Sequence, residues 1–294
     1  MSEVIAMNDE ERYFWDLTGY LVARGVLSAV ELEAANAAVD FFADQIRPGE
    51  VDGGARDSQA LRGSGRLALQ TDMRLFQLEQ PHCEPFRRML AHPAVVSRLN
   101  VMCGRGFRFD HGPHYIGGVK GTVGLTMHGS GDPHKPYVAY HHQNAQMYCG
   151  GVTVSWSLAD ANDGDGGFAC VPGSHKSGFP MPHGVRTCDD DMGVVAQPAV
   201  KAGDVLFFMD GAQTHGTLPW RGDGERRSVL FKYASRTSTR NGVSIELAAP
   251  ETYWDEPIVE GMTAEQRAVM YGPCSAGADG AYLTVDEDGT VRVR

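Results

Sequence analysis

Short runs that alternate apolar and polar residues mark the second half of the chain. VTVSWSL (152–158) places valine, tryptophan and leucine at every second position. VLFFM (205–209) and SVLFKY (228–233) are short apolar or aromatic runs near glycine and proline. A period of two with β-branched and aromatic residues is typical of strands. The pattern therefore predicts a β-rich body that begins near residue 106.

The first third of the chain has a helical period instead. Ser28 and Glu31 form a capping-box pattern, and the apolar residues after them recur at helical spacing, which predicts a helix over about 28–46. A shorter helix is expected over 83–103. Residues 47–72 are rich in glycine, aspartate and arginine and predict a loop.

The C-terminal end carries a hairpin pattern, because Asp288-Gly289 lies between two alternating runs. We predict an α+β, mainly β, single domain. Its expected parts are a helical N-terminal part over about 14–105, a β-core over about 106–236, and a C-terminal extension with the hairpin over 237–294.

The composition and net charge argue against some classes of binding partner. Lysine and arginine number 26 against 37 aspartates and glutamates, so the net charge is −11 and the pI is near 5.4. No basic field exists to attract nucleic acid or an anionic membrane. The N-terminus lacks the pattern of a signal peptide, no apolar run is long enough to span a bilayer, and the six cysteines are scattered without a C-x-x-C pair. We expect a cytoplasmic protein with free thiols and a small-molecule substrate; the oligomeric state stays open.

The candidate chemistry begins in YHHQNAQMY (140–148). His142 and Asn144 are two residues apart, the spacing of a metal-binding His-x-carboxylate pair with an amide in place of the carboxylate. His215 follows the strongest apolar strand. Two histidines and one oxygen ligand form the facial triad of non-haem Fe(II) oxygenases. Arg226, at the start of the next strand, can clamp a dicarboxylic cosubstrate, and Thr217 would share the face of His215.

The segments VTVSWSLADANDGDGGFACVPGSHKSGFP and GDVLFFMDGAQTHGTLPWRGDGERRSVLFKY resemble the phytanoyl-CoA dioxygenase family of Fe(II)/2-oxoglutarate oxygenases. The resemblance begins at FWDLTGYLVARGVLS and covers about residues 14–236. It implies a double-stranded β-helix (a cupin-like jelly roll), Fe(II), 2-oxoglutarate and O₂. It also implies metal ligation by His142 and His215, 2-oxoglutarate binding by Arg226 and Thr217, and a pocket lined by Trp156.

Asn144 departs from the family, which has aspartate there. Three alternatives follow: Asn144 ligates iron through its oxygen, Asp210 supplies the carboxylate, or the position is vacant as in related halogenases. His141 is an alternative ligand to His142, and Arg227 competes with Arg226, since adjacent residues on a strand face opposite sides.

The remaining histidines have plainer interpretations. Four of them precede the predicted site, and they are either loop residues or the lining of a pocket mouth: His111, His114, His128 and His134. Ser174 and His175 are adjacent and cannot form a nucleophile–base pair, so PGSHK (172–176) predicts a structural turn.

The function predicted from these residues is hydroxylation of an unactivated C–H bond in a small or carrier-linked metabolite. A non-catalytic, metabolite-binding relative with a degenerate metal triad is the alternative. A metal-dependent cupin isomerase that needs no 2-oxoglutarate is a third hypothesis.

Overall fold

The computed structural model describes residues 7–49, 54–71, 73–129, 135–239, 245–275 and 280–294. Eight α-helices lie in these ranges: α1 Asp9–Thr18, α2 Ala29–Phe41, α3 Glu84–Leu90, α4 Pro93–Met102, α5 His183–Thr187, α6 Pro250–Tyr253, α7 Glu256–Val259 and α8 Ala264–Ala268. Short 3₁₀-helical segments lie between the other elements, including one at Ser174–Lys176 that precedes α5.

The described residues also form fourteen short strands. They are β1 Tyr20–Ala23, β2 Arg47–Pro48, β3 Leu69–Thr71, β4 Arg108–Gly118, β5 Leu125–His128, β6 Tyr140–Gln143, β7 Gln146–Cys149, β8 Gly151–Ser157, β9 Gly167–Cys170, β10 Val205–Met209, β11 His215–Leu218, β12 Arg226–Ala234, β13 Leu283–Val285 and β14 Val291–Val293.

Two antiparallel sheets make the body of the protein. The major sheet has the order β1-β10-β8-β12-β4-β3-β2, and the minor sheet has the order β5-β11-β9. This is the mainly β, jelly-roll architecture with N-terminal helices that the sequence predicts. The runs 152–158, 205–209 and 228–233 lie in β8, β10 and β12, next to one another in the major sheet.

The main hydrophobic core lies on the helical side of the major sheet. Val154 and Trp156 of β8 and Phe231 of β12 are fully buried there, together with residues of the helices such as Trp15 and Phe42. Because side chains alternate along a strand, the intervening polar residues of β8 and β12 face the opposite side, toward the minor sheet. That side of the major sheet holds the cavities described below.

The helical predictions are met in the first case and need correction in the second. Helix α2 begins at the Ser28 capping box, with Ser28 and Glu31 bonding to each other's backbone N–H. The helix expected over 83–103 is two helices, α3 and α4, because Pro93 cannot continue α3 and His92 before it is extended.

Two peripheral predictions have simple outcomes. The segment expected to be a loop over 47–72 contributes two short strands, β2 and β3, to the edge of the major sheet, although residues 50–53 and 72 lie outside the described ranges. The C-terminal hairpin is present as β13–β14, with Gly289 at φ +83° in its turn.

All six cysteines are free thiols. None of the described helices has the length and apolar character needed to cross a membrane.

Candidate metal centre and adjoining cavities

Two histidines from neighbouring strands form the centre of the candidate site. His215 begins β11 and His128 ends β5, and the two residues are paired in the antiparallel register. Their ring centroids are 4.3 Å apart, and His215 is 6% exposed. A strand pair holds both imidazoles on one rigid scaffold, facing the same space.

Each of these rings is oriented by a main-chain carbonyl two residues earlier in the chain. His128 Nδ1 donates to the carbonyl of Thr126 at 2.9 Å, and His215 Nδ1 donates to the carbonyl of Gln213 at 2.8 Å. With the proton on Nδ1, Nε2 keeps its lone pair. A carbonyl acceptor behind the ring is the usual partner of a metal-binding histidine.

Burial also favours the neutral form that metal ligation requires. Desolvation lowers the pKa of His215 to about 3, with nearby His128 adding to the effect, and desolvation lowers the pKa of His128 as well. Both imidazoles are therefore neutral at physiological pH, with Nε2 ready to bind a cation.

A carboxylate and an ammonium stand beside this histidine pair. Asp210 Oδ1 lies 3.9 Å from His215 Nε2 and 2.8 Å from Lys232 Nζ. Burial alone would raise the pKa of Asp210, but the Lys232 ammonium lowers it well below its usual range, so the carboxylate is ionised. Asp210 is thus the carboxylate that could join His128 and His215 as an oxygen donor.

The donor set fits Fe(II) in chemistry, since two imidazoles and a carboxylate make a facial triad. Within the described ranges, however, no three histidine, cysteine, aspartate or glutamate side chains form a group already placed to hold a metal ion. In this structure the Asp210 carboxylate forms an ion pair with the Lys232 ammonium. To bind a metal together with the two histidines, the carboxylate would have to turn toward them.

A first cavity extends from the histidine pair to Arg226, and we name it the Arg226 cavity. Its volume is about 250 Å³, and its lining includes His128, His215, Thr217, Arg226, Ser155, Phe168, Phe208 and Lys232. No carboxylate among the described residues pairs with Arg226, and although desolvation lowers its pKa to about 10, the guanidinium stays charged at neutral pH. A half-buried guanidinium that has no carboxylate partner among the described residues can bind an anionic ligand.

The competition between the two adjacent arginines is resolved by their partners. Arg227 binds Asp40 of α2 at 2.8 Å and Glu225 at 2.9 Å, on the helical side of the sheet. Arg226 points to the cavity side, where Thr217 also lies. Arg226 and Thr217 therefore line one cavity with the histidine pair, and their role in binding 2-oxoglutarate stays a prediction.

A second cavity adjoins the same histidines from the other direction, and we name it the Asp110 cavity. Its volume is about 340 Å³, and its lining is mostly polar: Asp110, His111, His128, Lys135, Tyr137, Asp210, His215, Lys232, Ser238 and Thr239, with a few small or apolar residues. His128, His215 and Lys232 belong to the walls of both cavities.

The structure does not place His142, the histidine predicted as the first metal ligand, beside His215. His142 and Asn144 lie on an exposed hairpin, with His142 on β6 and Asn144 in the turn at φ +53°. Neither residue lines a cavity around His215, and His141 on the same hairpin is exposed too. His128, which the sequence suggested only as a loop or pocket-mouth residue, occupies the place beside His215.

The structure also corrects the role expected for Trp156. Its ring is fully buried in the core on the helical side of β8, against His92, and it lines neither cavity. Its neighbour Ser155 faces the Arg226 cavity instead. Of the other histidines, His111 lines the Asp110 cavity and His114 lines the Arg226 cavity, whereas His134 lies outside the described residues.

Lys232 was not among the site residues predicted from the sequence. The available signal was strand parity, since Lys232 is six residues after Arg226 on β12 and therefore shares its face. The same parity, counted on β8, assigns Ser155 rather than Trp156 to the cavity side.

A sequence model described as phytanoyl-CoA dioxygenase (PhyH) matches residues 15–228. None of the curated protein sequences matches the chain.

Several solved structures share the fold. HygX from Streptomyces hygroscopicus, crystallised with nickel and 2-oxoglutarate, has a TM-score of 0.63 at 20% identity and covers 78% of this chain and 88% of its own. SnoK, described as a non-haem α-ketoglutarate-dependent carbocyclase from nogalamycin biosynthesis, has a TM-score of 0.57 at 18% identity, covering 81% of this chain and 88% of its own. AviO1 from Streptomyces viridochromogenes has a TM-score of 0.54 at 17% identity, covering 78% and 95%.

Proposed function

The chain belongs to the phytanoyl-CoA dioxygenase family of non-haem iron, 2-oxoglutarate-dependent oxygenases, and from this premise we propose that it hydroxylates an unactivated C–H bond of a polar small molecule. The observation that carries the proposal is the position of Arg226. Its guanidinium, which pairs with no carboxylate of the described residues, shares one cavity with Thr217, the buried His215 and the half-buried His128.

In the proposed arrangement, His128 and His215 would hold Fe(II) through Nε2, and Asp210 would supply the carboxylate oxygen. The metal supplies the activation of O₂, and the overall reaction converts 2-oxoglutarate, O₂ and R–H into succinate, CO₂ and R–OH. This ligand set uses Asp210 in place of the aspartate that the family pattern puts two residues after its first histidine.

Arg226 and Thr217 would bind the far carboxylate of 2-oxoglutarate. The planar guanidinium can donate two parallel hydrogen bonds to a carboxylate, and the threonine hydroxyl can donate a third. The keto-acid end of the cosubstrate would then point along the Arg226 cavity toward the histidines. Phe168 and Phe208 in the wall exclude water from that path.

The substrate would enter the Asp110 cavity on the other side of the histidine pair. Carboxylate, ammonium, imidazole and hydroxyl groups line this cavity, which supports a small molecule with several polar groups rather than a long acyl chain. HygX and SnoN, which share the fold, have been crystallised with hygromycin B and with nogalamycin RO respectively.

The Asp210–Lys232 ion pair favours one alternative, a catalytically degenerate protein that binds a metabolite without turnover. An ammonium beside the histidines repels a metal cation, and it engages the carboxylate that would complete the triad. The two functions differ in a single measurement, because only the enzyme converts 2-oxoglutarate into succinate.

The experiment adds Fe(II) and 2-oxoglutarate to the metal-free protein under anaerobic conditions, and then admits O₂. If the protein is an oxygenase, we expect a weak visible charge-transfer band before O₂ is admitted and the formation of succinate afterwards. Replacing His128 with alanine should abolish both signals, while His142→Ala, on the exposed hairpin, should leave them intact. Absence of the band, with no iron retained and no succinate formed, would favour the binding protein.

A further inference from the structure

The PGSHK segment (172–176) lies directly behind His215, although it contributes no side chain to either cavity. It follows β9, whose last residue Cys170 is the register partner of His215. The chain then turns back over Gln213 and Thr214, the two residues that precede His215. The motif is thus in a position to fix the main chain from which the His215 side chain extends.

Thr214 is held by this turn through both of its main-chain groups. The hydroxyl of Ser174 accepts a hydrogen bond from Thr214 N at 2.8 Å, and the carbonyl of Thr214 accepts one from Val171 N at 2.9 Å. Ser174 is 8% exposed, so water competes poorly for these bonds. The peptide units on both sides of Thr214 are therefore fixed.

Gln213 is held at the same corner by its side chain. Its amide Nε2 donates to the carbonyl of Thr18 at 2.6 Å, and Gly173 N donates to that same carbonyl at 2.9 Å. The main-chain carbonyl of Gln213 is the acceptor that orients the His215 ring. Thr18, at the end of α1, therefore joins the PGSHK turn to the residue that sets the direction of His215 Nδ1.

His175 completes this corner. Its Nε2 donates to the carbonyl of Asp16 at 3.0 Å, which leaves Nδ1 as an acceptor. A Cβ placed on Gly19 would lie 2.6 Å from His175 Nδ1 and 2.9 Å from Gln213 Nε2, so both side chains border the space over this glycine. Gly19 has φ +81° and ends α1, where only glycine combines that conformation with such close neighbours.

The polar atoms in this corner are not arranged for maximum stability. His175 Nδ1 and Gln213 Oε1 are both buried, and neither has a hydrogen-bond partner among the described residues. Each such group destabilises the folded state, because it loses its hydrogen bond to water and gains no other. A cluster that served packing alone would be better built from apolar residues, and departures of this kind concentrate at functional sites.

We propose that Ser174 and His175 are positioning residues for His215. Ser174 fixes the Thr214 peptide, and His175 fixes the end of α1 against which Gln213 is bonded. Together they hold the Gln213 carbonyl that directs the His215 ring. The inference rests on the proposed role of His215 as a metal ligand.

The test measures Ni²⁺ affinity of the metal-free protein by isothermal titration calorimetry, together with its melting temperature. Groups that orient a metal-binding histidine are worth about 10–100-fold in affinity. We expect Ser174→Ala and His175→Ala each to weaken Ni²⁺ binding by about tenfold, near the lower end of that range, because they act through Gln213 and Thr214.

Two matched variants control for general effects of substitution in this region. The hydroxyl of Ser177 bonds to the main chain of Phe179, and His183 is exposed at the start of α5. Ser177→Ala and His183→Ala should bind Ni²⁺ like the unsubstituted protein.

The results separate this inference from the proposed function. If the unsubstituted protein does not bind Ni²⁺, the metal site itself is refuted. If it binds, and a folded Ser174→Ala or His175→Ala variant keeps the same affinity while only its melting temperature falls, the positioning role is refuted. Should His175→Ala fail to fold, His175→Phe replaces it, since phenylalanine fills the space of the ring but has no donor for the Asp16 carbonyl.

Discussion

His128 and His215 face each other across β5 and β11 with ring centroids 4.3 Å apart, and each ring donates Nδ1–H to a carbonyl two residues earlier in its own chain segment. The two imidazoles thus make the same kind of hydrogen bond although they are 87 residues apart in sequence. This relationship makes His128, and not His142, the partner of His215.

The first prediction compares these two histidines directly. His128→Ala removes one of two nitrogen donors and should weaken Fe(II) or Ni²⁺ binding by at least about 100-fold, the upper end of what loss of a supporting group costs. His142→Ala should leave the affinity unchanged because His142 lies on an exposed hairpin. Calorimetric titration of both variants checks the assignment. If His142→Ala weakened metal binding and His128→Ala did not, the metal ligand would be His142 on β6.

The second prediction concerns cosubstrate binding. Arg226→Ala removes a charge-assisted hydrogen bond of about 1.5–3 kcal/mol, so KM for 2-oxoglutarate should rise by about 10–100-fold. Arg227→Ala is the control, because that side chain pairs with Asp40 and Glu225 outside the cavity. Succinate formation measured against 2-oxoglutarate concentration gives both values, and equal effects of the two substitutions would contradict the assignment.

The third prediction tests Asp210 as the oxygen donor. Asp210→Asn keeps the shape of the side chain but removes its charge, and should weaken metal binding. Lys232→Met removes the competing ammonium and should strengthen metal binding by about tenfold, equivalent to about 1.4 kcal/mol.

The pair of substitutions is informative because the two changes have opposite signs. If Asp210 serves only to neutralise Lys232, then Asp210→Asn leaves an uncompensated positive charge, and the double variant should recover the affinity of the original protein. If Asp210 is a ligand, the double variant should stay weak. Metal titration of the three variants separates these cases.

The fourth prediction addresses Trp156. Its ring is fully buried on the helical side of β8, so Trp156→Ala should destabilise the protein by about 3–5 kcal/mol. Trp156→Phe retains most of the packing and gives up an indole N–H that has no partner among the described residues. That variant should keep KM for 2-oxoglutarate unchanged, and a rise in KM would place the ring at the cosubstrate after all.

Much of the fold follows from local pattern. The period-two runs predict β8, β10 and β12 because a half-buried strand alternates its side chains, and the Ser28–Glu31 capping box predicts the start of α2. The break between α3 and α4 could also have been predicted from the proline at position 93. These features depend on residues close in sequence.

The site depends on pairing between distant strands, which local pattern does not specify. YHHQN and TMHGS both place a histidine near a strand, and only the register of β5 with β11 decides which one meets His215. The face of Trp156 was ambiguous for a similar reason, since both sides of β8 are covered. Arg226, Thr217 and Asp210 could be selected from sequence because they are close to His215 along the chain.

Lys232 forms part of the wall of both cavities and binds Asp210 between them. A charged compound that enters either cavity changes the electrostatic environment of the same ammonium. Thermodynamic linkage then requires that the two compounds alter each other's affinity by the same factor. The protein would show substrate synergy: each compound's dissociation constant would depend on whether the other is bound, with the Lys232 side chain as the shared carrier of that interaction.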